Sequence, residues 1–170
     1  MDYFSQHSER LQFRALSEND IKSWLEFFHG NDRLAFLGID VTKDYLTLAT
    51  EWISKQLERY QKDGFGHLAV IEKSSGDFIG MGGILVRELD GEKVFEIAYS
   101  LKPTYWNQGF GTEIAQKLKQ FGLENQIATN FVSIIHKENE ASMHVARKNG
   151  MKILRETNFM GMEVFVFGLF

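Results

Sequence analysis

One stretch decides how this chain folds: residues 95–114, which read FEIAYSLKPTYWNQGFGTEI. Up to Leu101, bulky apolar side chains alternate with small or polar ones, a period-two pattern typical of a β-strand. Pro103, the only proline in the chain, ends this strand. Beyond the glycines, Ile114 starts a series of apolar residues at helical spacing. The stretch therefore predicts a strand, a glycine-containing loop and the first turn of a helix.

The loop within this stretch has the properties of an anion-binding site. Gly109 and Gly111 leave backbone N–H groups open to a ligand, because glycine has no Cβ. The N-terminus of the following helix adds partial positive charge at the same place, which suits a pyrophosphate. The loop fits neither a Walker A motif nor the dinucleotide fingerprint, because it lacks a Lys-Ser/Thr pair and has Ile114 in place of a third glycine.

The strand before the loop has two faces of different character. One face carries Phe95, Ile97, Tyr99 and Leu101, and the other carries Glu96, Ala98 and Ser100. A central strand of a packed parallel sheet is apolar on both faces. The small, polar face therefore fits the floor of a cleft, and it also fits a half-exposed strand with a solvated Glu96.

Outward from this stretch, periodicity and turn residues predict the element order β-α-α-β-β-β-α-β-α-β-β. The strands are predicted at residues 9–16, 67–73, 78–88, 93–101, 131–136, 151–157 and 162–169, and the helices at 17–28, 45–63, from the glycine loop to Gly122, and 139–148. Because the strand at 93–101 is joined through a helix to the strand at 131–136, these two are expected to be parallel. The predicted fold class is α+β: a central, mixed, mostly antiparallel sheet with one parallel pair, flanked by about four helices.

Two local signals refine this prediction. Ser17 and Asp20 have the spacing of a capping box at the start of the first helix. Glycines at positions 80, 82 and 83 indicate a bulge or a close backbone approach within the middle strand.

Length and composition limit the possible functions. The 170 residues fit one domain, predicted at 9–170 with residues 1–8 as an N-terminal extension. A net charge of 19 − 23 = −4 disfavours a nucleic-acid partner, and the absence of cysteine excludes disulfides and a thiol nucleophile. The sequence shows neither a signal peptide nor an apolar run long enough to span a membrane. A cytoplasmic protein without a membrane partner, monomeric or homodimeric, is therefore expected.

Two motifs resemble those of a known family. Residues 105–113, YWNQGFGTE, resemble the acetyl-CoA-binding motif of the GNAT superfamily of N-acetyltransferases, in the form found in its RimJ/RimL-like branch. Residues 139–142, NEAS, and 147–151, RKNGM, resemble the second motif of that branch, Asn-x-x-Ser followed by Lys-x-Gly. The order of elements matches from residue 9 to the end. The resemblance implies a GNAT-like fold, with the parallel strand pair splayed around the cofactor.

The chain departs from the family pattern at two positions. Trp106 stands where superfamily members often have Gln or Arg, although the RimJ/RimL-like branch favours Trp. Ala146 stands seven residues after Asn139, where many members have a Tyr that protonates the departing CoA thiolate. The resemblance therefore leaves the general acid unassigned, with Ser142 as the substitute by analogy with the branch.

The resemblance implies direct transfer of an acetyl group from acetyl-CoA to a primary amine. The loop backbone would hold the pyrophosphate, the strand edge at 97–101 would hold the pantetheine arm, and the amide of Ala98 or Ile97 would polarise the thioester carbonyl. The expected cofactor contacts are Ala98, Tyr99, Ser100, Leu101, Gln108, Gly109, Phe110, Gly111, Thr112 and Asn139. Glu96 is the expected general base, acting through a water, and the alternative is that it only orients water or substrate.

The acceptor side is expected to form from residues 24–66 and the turn at 158–161. The expected substrate contacts are Trp24, Phe28, Phe36 and Trp52. Relatives in the branch acetylate ribosomal-protein N-termini, small amines or antibiotics, and the sequence does not choose among them. No metal is implied, because the histidines lack metal spacing and are interpreted as surface or packing residues: His7, His29, His67, His136 and His144.

Two other functions stay open on the sequence alone. One is a non-catalytic module that binds or senses acyl-CoA, which the missing Tyr at position 146 favours. The other is a nucleotide-binding regulatory domain, which the absent Lys and the absent third glycine disfavour.

Overall fold

The computed structural model describes residues 2–169, which form an eight-stranded sheet with helices on both faces. The strands are β1 (Ser5–His7), β2 (Leu11–Arg14), β3 (His67–Glu72), β4 (Phe78–Leu89), β5 (Glu92–Leu101), β6 (Val132–His136), β7 (Lys152–Phe159) and β8 (Met162–Gly168). Their order across the sheet is β1-β2-β3-β4-β5-β6-β8-β7. This order places β5 and β6 side by side near the centre.

Strand direction in the sheet changes at one place. Every neighbouring pair is antiparallel except β5 and β6, which are parallel and pair only where Glu96 lies opposite Val132. Beyond that position β5 stays paired with β4 up to Leu101, whereas β6 pairs with β8. The predicted fold class is therefore confirmed, and the parallel pair separates as expected.

The helices begin and end at residues with clear physical roles. They are α1 (Ile21–Trp24), which lies between short 3₁₀ turns, α2 (Tyr45–Asp63), α3 (Phe110–Glu124) and α4 (Glu140–Lys148). The predicted capping box is present, with Ser17 N donating to Asp20 Oδ2 at 2.9 Å. Asp44 caps α2 by accepting from Thr47 N at 2.9 Å, and Gly64 ends it with a φ of 74°. Within the described chain, no helix combines the length and apolar character that crossing a bilayer requires.

The core has a layer on each face of the sheet. On one face, α1 and α2 pack against β3 and β4 in a cluster that includes Trp24, Ile53 and Met81. On the other face, α3 and α4 pack in a larger cluster that includes Ile114 and Met143. The separated ends of β5 and β6 lie between these layers.

The glycines of β4 mark both a bulge and a close approach, as predicted. The register between β3 and β4 shifts between Val70 and Ile71. A Cβ on Gly82 would collide with Ile114 of α3, and a Cβ on Gly83 would collide with the backbone just before β3. Gly82 therefore lets α3 pack close to the sheet, which fixes the first turn of this helix beside β5.

Residues near the N-terminus are part of the sheet. Ser5–His7 pairs with β2, and Tyr3 is buried, with its hydroxyl donating to Gly66 O at 2.6 Å and accepting from Ile84 N at 2.8 Å. The sequence predicts an extension at residues 1–8, because a three-residue polar strand has no periodicity to detect.

Candidate active site

Two cavities open where β5 and β6 separate, and they meet each other. The larger has a volume of about 460 Å³ and lies beside α2, and we call it the α2 cavity. The smaller has a volume of about 400 Å³ and lies at the start of α3, and we call it the α3 cavity. A neck joins them, lined by residues that both cavities share: Leu37, Tyr99, Ser100, Asn139, Ser142 and Val145. A long ligand at α3 can therefore extend through the neck towards α2.

The α3 cavity ends in free backbone donors. Gly109 precedes the helix with a φ of 80°, and its carbonyl accepts from Glu113 N at 3.1 Å. Among the described residues, the N–H groups of Phe110, Gly111 and Thr112 have no hydrogen-bond partner. Together with the helix dipole they form an anion site at the loop where the sequence predicts a pyrophosphate.

Gly111 is held against β5 at the mouth of this site. A Cβ at this position would lie 2.9 Å from Cε2 of Tyr99, closer than Cβ atoms in proteins approach a ring. Glycine is therefore required for the helix start to sit beside the neck.

A polar clasp ties the loop to the N-terminal strands. The Glu113 carboxylate accepts from Ser8 Oγ at 2.6 Å, from Arg10 N at 2.8 Å and from Arg10 Nε at 2.7 Å. Arg10 also donates to Gln108 O at 2.9 Å. Burial raises the pKa of Glu113, but the hydrogen bonds from Ser8 and Arg10 outweigh burial and lower the pKa overall. Sequence reasoning missed this clasp, because its members are about a hundred positions apart.

Cationic side chains flank the α3 cavity. Arg33 and Lys148 both line it, and the Arg33 guanidinium lies 3.8 Å from the ring centre of Trp106. Trp106 in turn donates from Nε1 to Leu101 O at 2.9 Å, which fixes the indole against the end of β5. Neither cation was identified from the sequence as a site residue.

The expected cofactor contacts differ in how they face the α3 cavity. Gly109, Gly111 and Thr112 line it directly. The ring of Phe110 is buried in the core, so this residue offers only its backbone. Gln108 lines neither cavity, and its carboxamide donates to Thr104 O at 3.1 Å.

Backbone groups of alternate residues in β5 point to opposite sides. Ile97 O accepts from Ser133 Oγ at 3.0 Å, so the peptide groups of Ile97 face β6. Successive residues of a strand direct their backbone groups to opposite sides. The peptide groups of Tyr99 and Leu101 therefore face the gap that opens where β6 separates from β5, whereas those of Ala98 face β4. Of the two amides expected to polarise a thioester carbonyl, Ala98 is therefore directed away from the gap, and its side chain lines the α2 cavity instead.

The neck brings two hydroxyl groups together. Tyr99 Oη lies 3.4 Å from Ser142 Oγ. Ser142 N donates to Asn139 Oδ1 at 3.3 Å, so Asn139 caps α4 and keeps its amide nitrogen for other partners. Burial raises the pKa of Tyr99, which keeps the phenol protonated near pH 7. Ala146 is also buried at this place, and it lines the α2 cavity.

Glu96 lies on the floor of the α2 cavity and is 6% exposed. Its Oε2 accepts from Arg87 Nε at 2.9 Å. Ala98 and Ser100, on the same face of β5, line the same cavity. The polar face of this strand is therefore the floor of a cleft, and the alternative of a solvated strand is excluded.

His67 lines the same cavity as Glu96 and is in an unusual state. Its Nδ1 accepts from Trp52 Nε1 at 3.2 Å, so the single proton of the neutral ring belongs to Nε2. Burial, followed by the charges of Arg59 and Arg87, lowers the pKa of His67 to about 3. Nε2 is buried and has no hydrogen-bond partner among the described residues. From the sequence alone, this histidine is predicted to be a surface or packing residue.

The four aromatic residues expected to contact the acceptor fall into two groups. Phe36 and Trp52 line the α2 cavity, as does Phe159 of the predicted closing turn. Trp24 and Phe28 are fully buried and line neither cavity. Their ring centres lie 5.4 and 6.3 Å from that of Trp52, so they support its position and do not form the wall themselves.

Comparison with known proteins agrees with this geometry. Residues 10–152 match the sequence profile of a family described as "Acetyltransferase (GNAT) domain". YkkB of Bacillus subtilis is 27% identical over 111 residues, which are 64% of each protein, so the alignment spans less than two thirds of that relative. An acetyltransferase from Agrobacterium tumefaciens superposes with a TM-score of 0.79 at 24% identity, covering 96% of this chain and 92% of that one. RimL, a ribosomal L7/L12 α-N-protein acetyltransferase solved with coenzyme A, gives a TM-score of 0.73 at 16% identity, covering 95% and 93%.

Proposed function

Because the chain belongs to the GNAT acetyltransferase family, we propose that it transfers the acetyl group of acetyl-CoA to a primary amine. One observation carries the proposal: free N–H groups at the start of α3 lead through the neck to a cavity whose floor carries the buried carboxylate of Glu96. The first feature suits the pyrophosphate of a CoA thioester, and the last suits deprotonation of an amine. The RimJ/RimL-like motifs at 105–113 and 139–151 support the same function.

The residues present fit acetyl-CoA as the acyl donor. The N–H groups of residues 110–112 would bind the pyrophosphate, with Arg33 and Lys148 adding positive charge nearby. The gap-facing peptides of β5 would pair with the pantetheine arm as an added strand does. Asn139 lines the neck that this arm would cross, and the cap of α4 uses only its Oδ1, so its amide nitrogen is left to donate to the arm. Bound acetyl-CoA supplies an acyl carbon activated by its thioester.

Residues of the neck and the α2 cavity then transfer the protons of the reaction. Glu96 takes one proton from the acceptor ammonium, directly or through a water, and releases it to solvent. The amine nitrogen bonds to the acetyl carbon while the carbon–sulfur bond breaks. The nitrogen loses a second proton as the amide forms. The departing sulfur takes up one proton through the hydroxyls of Ser142 and Tyr99. The products are an N-acetylated amine and CoA with a free thiol.

Ala146 favours a second candidate, a module that binds acyl-CoA without transferring the acyl group. At this position many members of the superfamily have the Tyr that acts as general acid, and here a small buried residue stands instead. Both candidates require the same donor site, so only turnover separates them. Cytoplasmic location and a monomeric or homodimeric state stay predictions.

A ligand titration and a turnover assay test the proposal. We expect acetyl-CoA and CoA to raise the melting temperature of the protein and ATP to leave it unchanged. We also expect amine-dependent release of free thiol from acetyl-CoA. Stabilisation by ATP alone would contradict the donor site. Stabilisation by acetyl-CoA without thiol release from any amine would favour the binding module.

A further inference from the structure

Three side chains with hydrogen-bond donors line the α2 cavity, whose floor carries Glu96. Arg59, His67 and Arg87 all line this cavity. Gln56 links two of them, because its Oε1 accepts from His67 N at 2.8 Å and from the Arg59 guanidinium at 3.4 Å. Arg87 is paired with Glu96, whereas Arg59 takes part in no ion pair among the described residues. A guanidinium without an ion-pair partner therefore lines the same cavity as a histidine whose ring N–H has no acceptor among the described residues.

The Arg59 cation lies in surroundings that disfavour its charge. Burial, and then the charge of Arg87, lowers the pKa of Arg59, which means that the site disfavours the cation it holds. The other carboxylates of the cavity wall, Asp40 and Glu51, have local partners: Asp40 accepts from Thr42, and Glu51 is paired with Lys43 at 2.9 Å. An anion bound next to Arg59 would offset the cost of holding this cation.

The second observation is the buried donor on His67. Because Trp52 can only donate, His67 Nδ1 must accept, and its Nε2 must carry the proton. A buried donor without a partner is costly and rare in folded proteins, so its presence calls for an explanation. His67 lines the α2 cavity, but Nε2 itself is closed to solvent, so a ligand in that cavity reaches this N–H only when the side chains around it move.

We propose that the acceptor substrate is a small amine that also carries a carboxylate, which Arg59 and His67 bind while the amino group lies at Glu96. This inference rests on the proposed acetyl transfer and names the substrate class for the same site. A carboxylate can accept two hydrogen bonds from a guanidinium fork and a further one from an imidazole N–H. The cavity volume of about 460 Å³ is in the range of small-molecule sites. The ammonium and carboxylate ends of such a substrate would meet groups of opposite charge.

A matched substrate panel tests the substrate class. The probes are the common α-amino acids and β-alanine, each compared with its carboxamide and with the amine that lacks the carboxyl group. Free thiol released from acetyl-CoA is measured for each. We expect at least one amino carboxylate to be acetylated with a kcat/KM about tenfold or more above that of both counterparts.

Three variants locate the carboxylate site. Arg59→Gln is expected to raise the KM for the amino carboxylate about tenfold while kcat and the KM for acetyl-CoA stay within about twofold. Arg59→Lys keeps the charge without the fork and should recover part of this loss. His67→Asn keeps an acceptor for Trp52 and deletes the Nε2 donor, and it should raise the same KM about fivefold. Lys62→Gln is the matched control, since Lys62 is an exposed cation on the same helix that lines neither cavity, and it should change nothing.

The outcomes separate this inference from the proposed function. Acetylation of amines without preference for a carboxylate, or an Arg59→Gln variant that slows all amines equally, would overturn the carboxylate site and leave acetyl transfer standing. If no amine releases thiol, nuclear magnetic resonance of the His67 ring decides. A Nε2–H signal that shifts on addition of the amino carboxylates, and not of their carboxamides, supports the site, and an unchanged signal overturns it.

Discussion

The two cavities are built in different ways. The α3 cavity relies on backbone groups of one continuous loop, residues 106–113. The α2 cavity relies on side chains from distant elements, such as Trp52 on α2, His67 on β3 and Glu96 on β5. A backbone site needs glycines and a helix start, which leave a local signature in the sequence. A side-chain site exists only after the fold has brought its members together, so the acceptor is specified at the level of tertiary structure.

Filling the backbone site should have the largest effect. In Gly111→Trp, even the Cβ lies 2.9 Å from the Tyr99 ring, and the indole would cover the free N–H groups. We expect the affinity for acetyl-CoA to fall by more than about 100-fold in an equilibrium binding assay, because several hydrogen bonds to a charged group are lost. Gln120→Trp places the same side chain on the exposed face of α3 and should bind normally. An equal loss in both variants would mean that the helix, and not the site, had been damaged.

Removing the carboxylate from the side-chain site comes next. Glu96→Gln keeps an acceptor for Arg87 but cannot take a proton. We expect kcat to fall about 100-fold, since a general base contributes about 10²–10⁴-fold, while the affinity for acetyl-CoA stays unchanged. Glu163→Gln, an exposed residue of β8 that lines neither cavity, is the control. A normal kcat for Glu96→Gln would leave Glu96 only the role of orienting water or substrate.

The contrast between the cavities also explains what the sequence could predict. The capping box at Ser17 and the loop of the α3 cavity depend on a few neighbouring residues, so local patterns identify them. Trp24 and Phe28 show the limit of local patterns. The sequence places these apolar residues in a helix, but it does not tell whether they face the core or a cavity. The sequence could not identify His67 as a residue of the cavity, because its hydrogen-bond partner Trp52 is 15 positions away and its lowered pKa is caused by burial.

The unusual state of His67 predicts a pH dependence of stability. Burial lowers its pKa to about 3 in the folded protein, whereas an unfolded chain takes up this proton near pH 6.5. Below that pH the unfolded state binds more protons, so the free energy of unfolding should fall as the pH drops from about 6.5 towards 3. Between about pH 7 and pH 5, His67 is expected to contribute up to about 2 kcal/mol to the fall in the free energy of unfolding.

Urea unfolding of the wild type and of His67→Asn at these two pH values measures that share. Asn keeps an acceptor for Trp52 and does not titrate, so the variant should lose less stability on acidification than the wild type. Equal losses in the two proteins would mean that His67 is protonated in the folded state, and its Nε2–H would then not be the donor of a neutral ring.

The smallest expected effect comes from the clasp behind the α3 cavity. Glu113→Gln weakens the contacts from Ser8 and Arg10 that hold the loop, although the free N–H groups themselves remain. Arg10 is 42% exposed, which limits the contribution of its ion pair, so we expect a loss of about 1 kcal/mol, or about fivefold in the Kd for acetyl-CoA. Glu156→Gln breaks an ion pair with Lys137, two residues that line neither cavity, and should leave the Kd unchanged. The KM for the acceptor should not move in Glu113→Gln; if it did, the loop would act through the neck on the α2 cavity, and the two cavities could no longer be treated as independently built.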